Sequence, residues 1–333
     1  MSALYLLLGL FLLLLVVVDL LWTTLWVEGG AGPLTTRLTK WTWRSLRAVA
    51  GDRPRLLSIA GPVILLGSLT LWIALLWAGW TALFAGAENA LLDTRDPGPI
   101  SWIERIYFVG YSIFTMGNGD FTPRDGRWQI VTSLATASGM LFVTLSVTYV
   151  LSVLGAVTQK RSLASSISGL GSDSTEILEA SWDGDRFRGL DVPLESISTR
   201  LDTLTTNHKA YPILHYFYTP DSSAAPATAV TVLDETLTLL RFGVPKRTRP
   251  SEIAITQART SVRSYLETLD SAFVEPADES PPSPDIAALR DRGVPTVSDD
   301  DFEDAIVELD DRRRELFGLV RSDERQWPGS ENP

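Results

Sequence analysis

Residues 100–123 read ISWIERIYFVGYSIFTMGNGDFTP, and the fold turns on this stretch. Its first part, Trp102–Phe114, is apolar and aromatic but too short to cross a hydrocarbon core of ~30 Å at ~1.5 Å per residue. Its second part, Thr115–Asp120, places glycines at alternate positions, where the backbone must adopt conformations that a side chain forbids. Two long apolar runs flank it, Leu56–Phe84 before and Trp128–Val157 after, each long enough to span a bilayer. A short helix and a Gly-x-Gly strand held between two spans describe a segment that dips into the membrane and returns. A bare Gly-x-Gly is weak evidence; the threonine ahead, the aspartate behind and the spans on either side give it weight.

Composition narrows the chemistry. The 333 residues include no cysteine and two histidines, His208 and His215, so disulfides and thiolate metal sites are excluded. The net charge of −11 is unevenly spread: residues 1–161 carry 12 Lys/Arg against 9 Asp/Glu, and residues 162–333 carry 17 against 31. A near-neutral membrane half is thus joined to an acidic soluble half, which repels phosphate and argues against nucleic-acid binding. No nucleophile–base or metal constellation is present, so an enzyme is not expected, and neither is an organic cofactor.

Leu4–Val27 is a further apolar run of spanning length, read as a retained helix because it lacks a basic leader and an A-x-A cleavage site. Asp19 lies inside it near Trp22 and Trp26, which suggest an interface where the carboxylate reaches water or an arginine. The segment 28–55 holds Arg37, Lys40, Arg44, Arg47, Arg53 and Arg55, and the positive-inside rule places it in the cytoplasm. It is either a short amphipathic helix on the inner membrane surface or an ordinary basic loop. With this loop inside, the N-terminus lies outside, residues 102–120 enter from outside, and the C-terminal half is cytoplasmic. The acidic segment 85–101 then forms an external loop that concentrates cations.

Beyond Arg161, residues 162–174 are Ser/Gly-rich and read as a linker opening a cytoplasmic domain over 162–333. Helical apolar spacing recurs near 190–207, 228–241, 252–273 and 302–320, and strand patterns are scarce. The Pro-rich acidic stretch 275–285 reads as a disordered linker. Phe302, Ile306, Leu309, Arg313, Leu316 and Val320 form a heptad-like seam broken by Arg313, which either packs on its own domain or ties subunits into a coiled coil. The acidic run Asp299–Asp301, Glu303 and Asp304 suits a helix start better than a metal site.

The order helix, short helix, T-M-G-N-G-D, helix resembles the tetrameric potassium channels of the two-span, pore-loop type, whose filter reads T-V-G-Y-G-D. The likeness covers about residues 56–158 and is specific only around the filter. It implies an all-α membrane protein: outer helix 56–84, re-entrant pore helix 102–114, selectivity-filter loop 115–120 and inner helix 127–157, with a mostly helical cytoplasmic domain. It further implies a homotetramer in the plasma membrane whose partners are its own copies, the lipid bilayer and monovalent cations, with K⁺ as the permeant ion. Filter sites would come from Thr115, Met116, Gly117, Asn118 and Gly119, with Asp120 at the outer mouth. Gly139 falls where family members often carry a hinge glycine, although close helix packing explains a glycine there equally. Met140, Val143, Val147 and Leu151 would line the cavity below.

Two departures bear on selectivity. Met116 stands for the family's valine and Asn118 for its tyrosine, which braces the filter against pore-helix aromatics. Asparagine cannot brace over that distance, though its amide can bond locally; Tyr111, one turn before the filter, is expected to reach Asp120 or Asn118 and replace part of the support. The alternatives left open are a weakly selective cation channel and a membrane-anchored sensor that does not conduct.

Overall fold

The computed structural model describes residues 2–27, 30–50, 54–95, 98–270 and 274–329. They group into two bodies, Met1–Val49 with Ala60–Leu154, and Ala50–Ile59 with Gly155–Pro333.

The first body is built from α1 (Ala3–Leu25), α2 (Pro33–Ala50), α4 (Ala60–Ala85), α5 (Trp102–Ile113) and the upper part of α6 (Gly126–Ser168). Among the described residues, three helical stretches are long and apolar enough to cross a membrane: Ala3–Leu25, Arg55–Ala85 and Gly126–Ser168. α1 lies against α4 at close range, since a Cβ on Gly9 would sit 2.7 Å from the Leu83 nitrogen. In lipid, where burying apolar surface brings little, such small-residue contacts carry helix association. Pro62 falls in the first turn of α4, where its missing N–H costs nothing.

Asp19 corrects the expectation that it reaches water or an arginine. Fully buried in α1, its carboxylate accepts the Leu34 N–H at 2.7 Å, the Thr35 hydroxyl at 2.6 Å and the Trp72 indole N–H at 2.8 Å. The acid therefore sits on the N-terminus of α2, where the helix dipole favours a negative charge. Within the basic segment Pro33–Ala50 is a helix rather than a loop, and this cap is what starts it, while Arg53 lies outside the described residues.

α6 runs unbroken for 43 residues, so the inner helix does not stop at 157 and residues 162–168 are not a linker. Leu163, Ala164 and Ile167 are wholly buried in the second body, and Ser166 returns its hydroxyl to the Ser162 carbonyl at 2.7 Å. That back-bond lets serine sit inside a helix, which is why a Ser-rich composition misled.

The second body adds α3 (Pro54–Leu57), α7 (Ser174–Ser181), α8 (Asp191–Ala210), α9 (Pro226–Thr238), α10 (Glu252–Asp270), α11 (Ile286–Asp291), α12 (Asp299–Glu308) and α13 (Asp310–Ser322). α9 is buried almost throughout, including Asp234 and Glu235. Arg312 answers Asp234 at 2.5 Å and Arg313 answers Glu235 at 3.2 Å. The supposed heptad seam is two helices broken at Leu309, with Phe302, Ile306, Leu316 and Val320 in the core of the same body. Nor is 275–285 disordered. It docks on α13, the Ala277 N–H donating to the Arg314 carbonyl at 3.0 Å and the Arg314 Nε returning a bond at 2.7 Å. Prolines suit this segment because they offer carbonyls to arginine without adding N–H groups to satisfy. Ser298 caps α12, with Asp299–Asp301 in its first turn.

Candidate functional site

α5 starts on a capping box: Ser101 Oγ accepts the Glu104 N–H at 3.3 Å, and the Glu104 carboxylate accepts the Ser101 N–H at 2.6 Å. Its second half, Phe108–Ile113, is buried. At its C-terminus the chain does not simply fray. The Phe114, Thr115 and Met116 N–H groups donate back to the Gly110, Ser112 and Tyr111 carbonyls at 3.2, 3.1 and 2.8 Å. The start of the strand that follows is thereby hung from the helix by its donors.

Along that strand the backbone alternates. Thr115, Gly117 and Gly119 have φ of +58°, +59° and +80°. Left-handed conformation at every second residue is the arrangement in which successive carbonyls can turn to one side. Glycine adopts it freely; a β-branched threonine at positive φ costs of order 1–3 kcal/mol and persists where surrounding bonds hold it. Residues 114–119 are all exposed on the single chain, Met116 to 63%, and nothing lies within 4 Å of where a Cβ on Gly117 or Gly119 would stand.

The support behind the strand differs from expectation. The Tyr111 hydroxyl reaches neither Asp120 nor Asn118; it donates to the Phe121 carbonyl at 2.6 Å and accepts the Phe121 N–H at 3.2 Å. The group that joins Asn118 to Asp120 is Tyr107, whose hydroxyl accepts from the Asn118 amide at 2.7 Å and donates to the Asp120 carboxylate at 3.0 Å. Asn118 thus bonds locally through a tyrosine one helical turn further back. Tyr107 and Tyr111 meet edge to face at 5.2 Å, on the shared face that a spacing of four dictates. That spacing was the available signal; nearness in sequence pointed to the wrong tyrosine.

The segment 85–101 is more than a cation-gathering loop. Its residues Leu91–Asp93 form β1, which pairs antiparallel with β2 (Phe121–Pro123), Asp93 opposite Phe121. Next to β1, the Thr94 hydroxyl donates to the Asp120 carbonyl at 2.9 Å and to the Gly119 carbonyl at 3.2 Å. Arg95 stands 3.6 Å from Asp120 and 3.7 Å from Asp93, so part of the acidity is already matched.

On α6, Gly139 is buried rather than open. A Cβ there would lie 2.0 Å from the Ile113 carbonyl, so glycine is required for α6 to pass the end of α5. Packing accounts for it, and the helix continues without a break. Met140, Val143, Val147 and Leu151 are exposed by 45–65% along one stripe, and Thr144 shares it. The opposite face, with Phe142, Tyr149 and Val153, is buried.

Comparison with known proteins bears on the family of the chain. A family described as "Ion channel" matches residues 68–156. The chain is 43% identical over 327 residues to the "Uncharacterized membrane protein YdjJ" of Bacillus subtilis (strain 168), covering 98% of this chain and 96% of the relative. No solved structure matches.

Proposed function

Because the chain belongs to the membrane-protein family that includes YdjJ and carries an ion-channel domain of the two-span pore-loop type, we propose that it is a homotetrameric potassium channel of the plasma membrane. The observation that carries this reading is the exposed strand with left-handed backbone at residues 115, 117 and 119. Bare backbone at membrane depth is tolerated only where protein buries it or water lines it. One chain supplies one such strand, so several copies around an axis complete the enclosure, and closed symmetry with four is the family habit. Carbonyls of Thr115, Met116, Gly117, Asn118 and Gly119 would then replace the hydration shell of a dehydrated cation, with Asp120 at the entrance. Met140, Val143, Val147 and Leu151 would line an apolar cavity able to close by dewetting.

A second reading, a weakly selective cation channel, rests on the Asn118–Tyr107–Asp120 chain of hydrogen bonds, which replaces an aromatic brace with polar contacts. Flux through proteoliposomes tests the channel: the purified protein should pass K⁺ and Rb⁺, and silence to K⁺, Rb⁺ and Na⁺ alike would favour a non-conducting sensor. Reversal potentials under K⁺ against Na⁺ then separate the selective from the permissive pore.

A further inference from the structure

α2 carries a basic stripe on one face. Arg37, Lys40 and Arg44 recur at steps of three and four and so share one face, which Arg47 extends. Arg37, Lys40 and Arg44 are exposed and have no ionic or hydrogen-bonding partner among the described residues. Trp41 stands amid them, 71% exposed. Thr35 and Thr39, on the opposite face, are buried.

This stripe is held at a fixed place on the spans. Asp19, held in turn by the Trp72 indole N–H, grips the start of α2, the Thr23 hydroxyl accepts the Gly32 N–H at 2.9 Å, and Leu38 packs where Gly67 leaves room on α4. At this same end of α1, Trp22 and Trp26 stack at 5.6 Å, as an aromatic belt does at a membrane–water boundary. This end of α1 also carries an open apolar groove of about 620 Å³, lined by Val18, Leu21, Trp22, Leu25, Trp26 and Val27. A cationic face with an exposed tryptophan, fastened to the tryptophan-marked end of an apolar span, complements a molecule with an anionic head and hydrocarbon tails.

We propose that Arg37, Lys40, Trp41 and Arg44 form a binding surface for anionic phospholipid headgroups. The proposal needs the spans, not the pore, and stands or falls apart from conduction. Each basic residue at an anionic surface favours it by about five-fold.

The chain has no cysteine, so Ser45→Cys, on the exposed side of α2, gives a single labelling site. The labelled full chain is placed in phosphatidylcholine nanodiscs doped with equal fractions of brominated phosphatidylglycerol or brominated phosphatidylcholine. Quenching by the anionic lipid should exceed quenching by the zwitterionic one at least about three-fold. That preference should vanish in R37Q/K40Q/R44Q and persist in R37K/K40R/R44K, with zwitterionic quenching unchanged in both as the check on folding. Equal quenching by the two lipids, or a preference that survives the glutamine triple, overturns the proposal. So does a label shielded from both lipids that transfers energy between copies, which would assign the face to a second chain.

Discussion

Tyr107 offers a single hydroxyl on which both Asn118 and Asp120 depend. Tyr107→Phe leaves the Asn118 amide and the Asp120 carboxylate without that partner, and a hydrogen bond to a charged group is worth about 1.5–3 kcal/mol. The expected outcome is intact assembly by size-exclusion chromatography, with K⁺ over Na⁺ preference reduced about ten-fold in bi-ionic recordings. Gly117→Ala acts differently: the added methyl meets no atom, so the penalty is conformational, about 1–2 kcal/mol for an L-residue in the left-handed region. That strain falls within the strand itself, and flux should be lost while the chain still folds and assembles. At this scale the left-handed backbone at Gly117 and Gly119 was legible, because it is a local demand that glycine announces, whereas the same conformation at Thr115 was not. Tyr107 was not singled out because its partners lie 11 and 13 residues ahead. Thr94 had no signal at all: it acts across 25 residues beside a sheet whose strands have three residues each, too short to show alternation.

Among the elements, the spans were readable because apolar length is itself the physical requirement. Where helices began and ended was less so. The start of α2 is fixed by a carboxylate 15 residues upstream, a long-range cap that no local spacing displays. Asp19→Leu should therefore loosen α2 from α1 and α4 together, since it strands two backbone amides, a hydroxyl and an indole N–H. A loss of about 3 kcal/mol or more is expected, seen as a lower thermal midpoint of the detergent-solubilised chain. The stretches 162–168 and 275–285 failed in the opposite sense: their compositions are those of linkers, yet buried leucine and isoleucine in one and arginine donors in the other hold them in place. Leu309 shows the same limit, because a one-residue break between α12 and α13 leaves the apolar spacing of the sequence undisturbed.

At the scale of the whole molecule, the second body carries an acid-sensitive residue. His208 is buried, packs edge-on against Tyr265 at 5.7 Å and bonds the Leu204 carbonyl through Nδ1 at 3.1 Å. Burial first, then the positive charge of Lys160, pushes it down to about 3 from the ordinary 6.5. The folded state thus prefers the neutral ring: its stability is full above about pH 6.5 and is lost as pH falls through the window toward 3. Near pH 5 this amounts to about 2 kcal/mol. Thermal melts of the full chain at neutral and mildly acid pH should show the drop, and His208→Gln should remove only its own share, because burial and the charge of Lys160 push His215 down to about 3 as well.

The unfinished strand at residues 115–119 also has a genetic consequence. If each conducting unit borrows its walls from neighbours, one poisoned copy spoils the set. Cells making equal amounts of the normal and Gly117→Ala chains should retain about one-sixteenth of their transport when four chains meet, a dominant-negative dose response. Retention of half would mean that every polypeptide works alone.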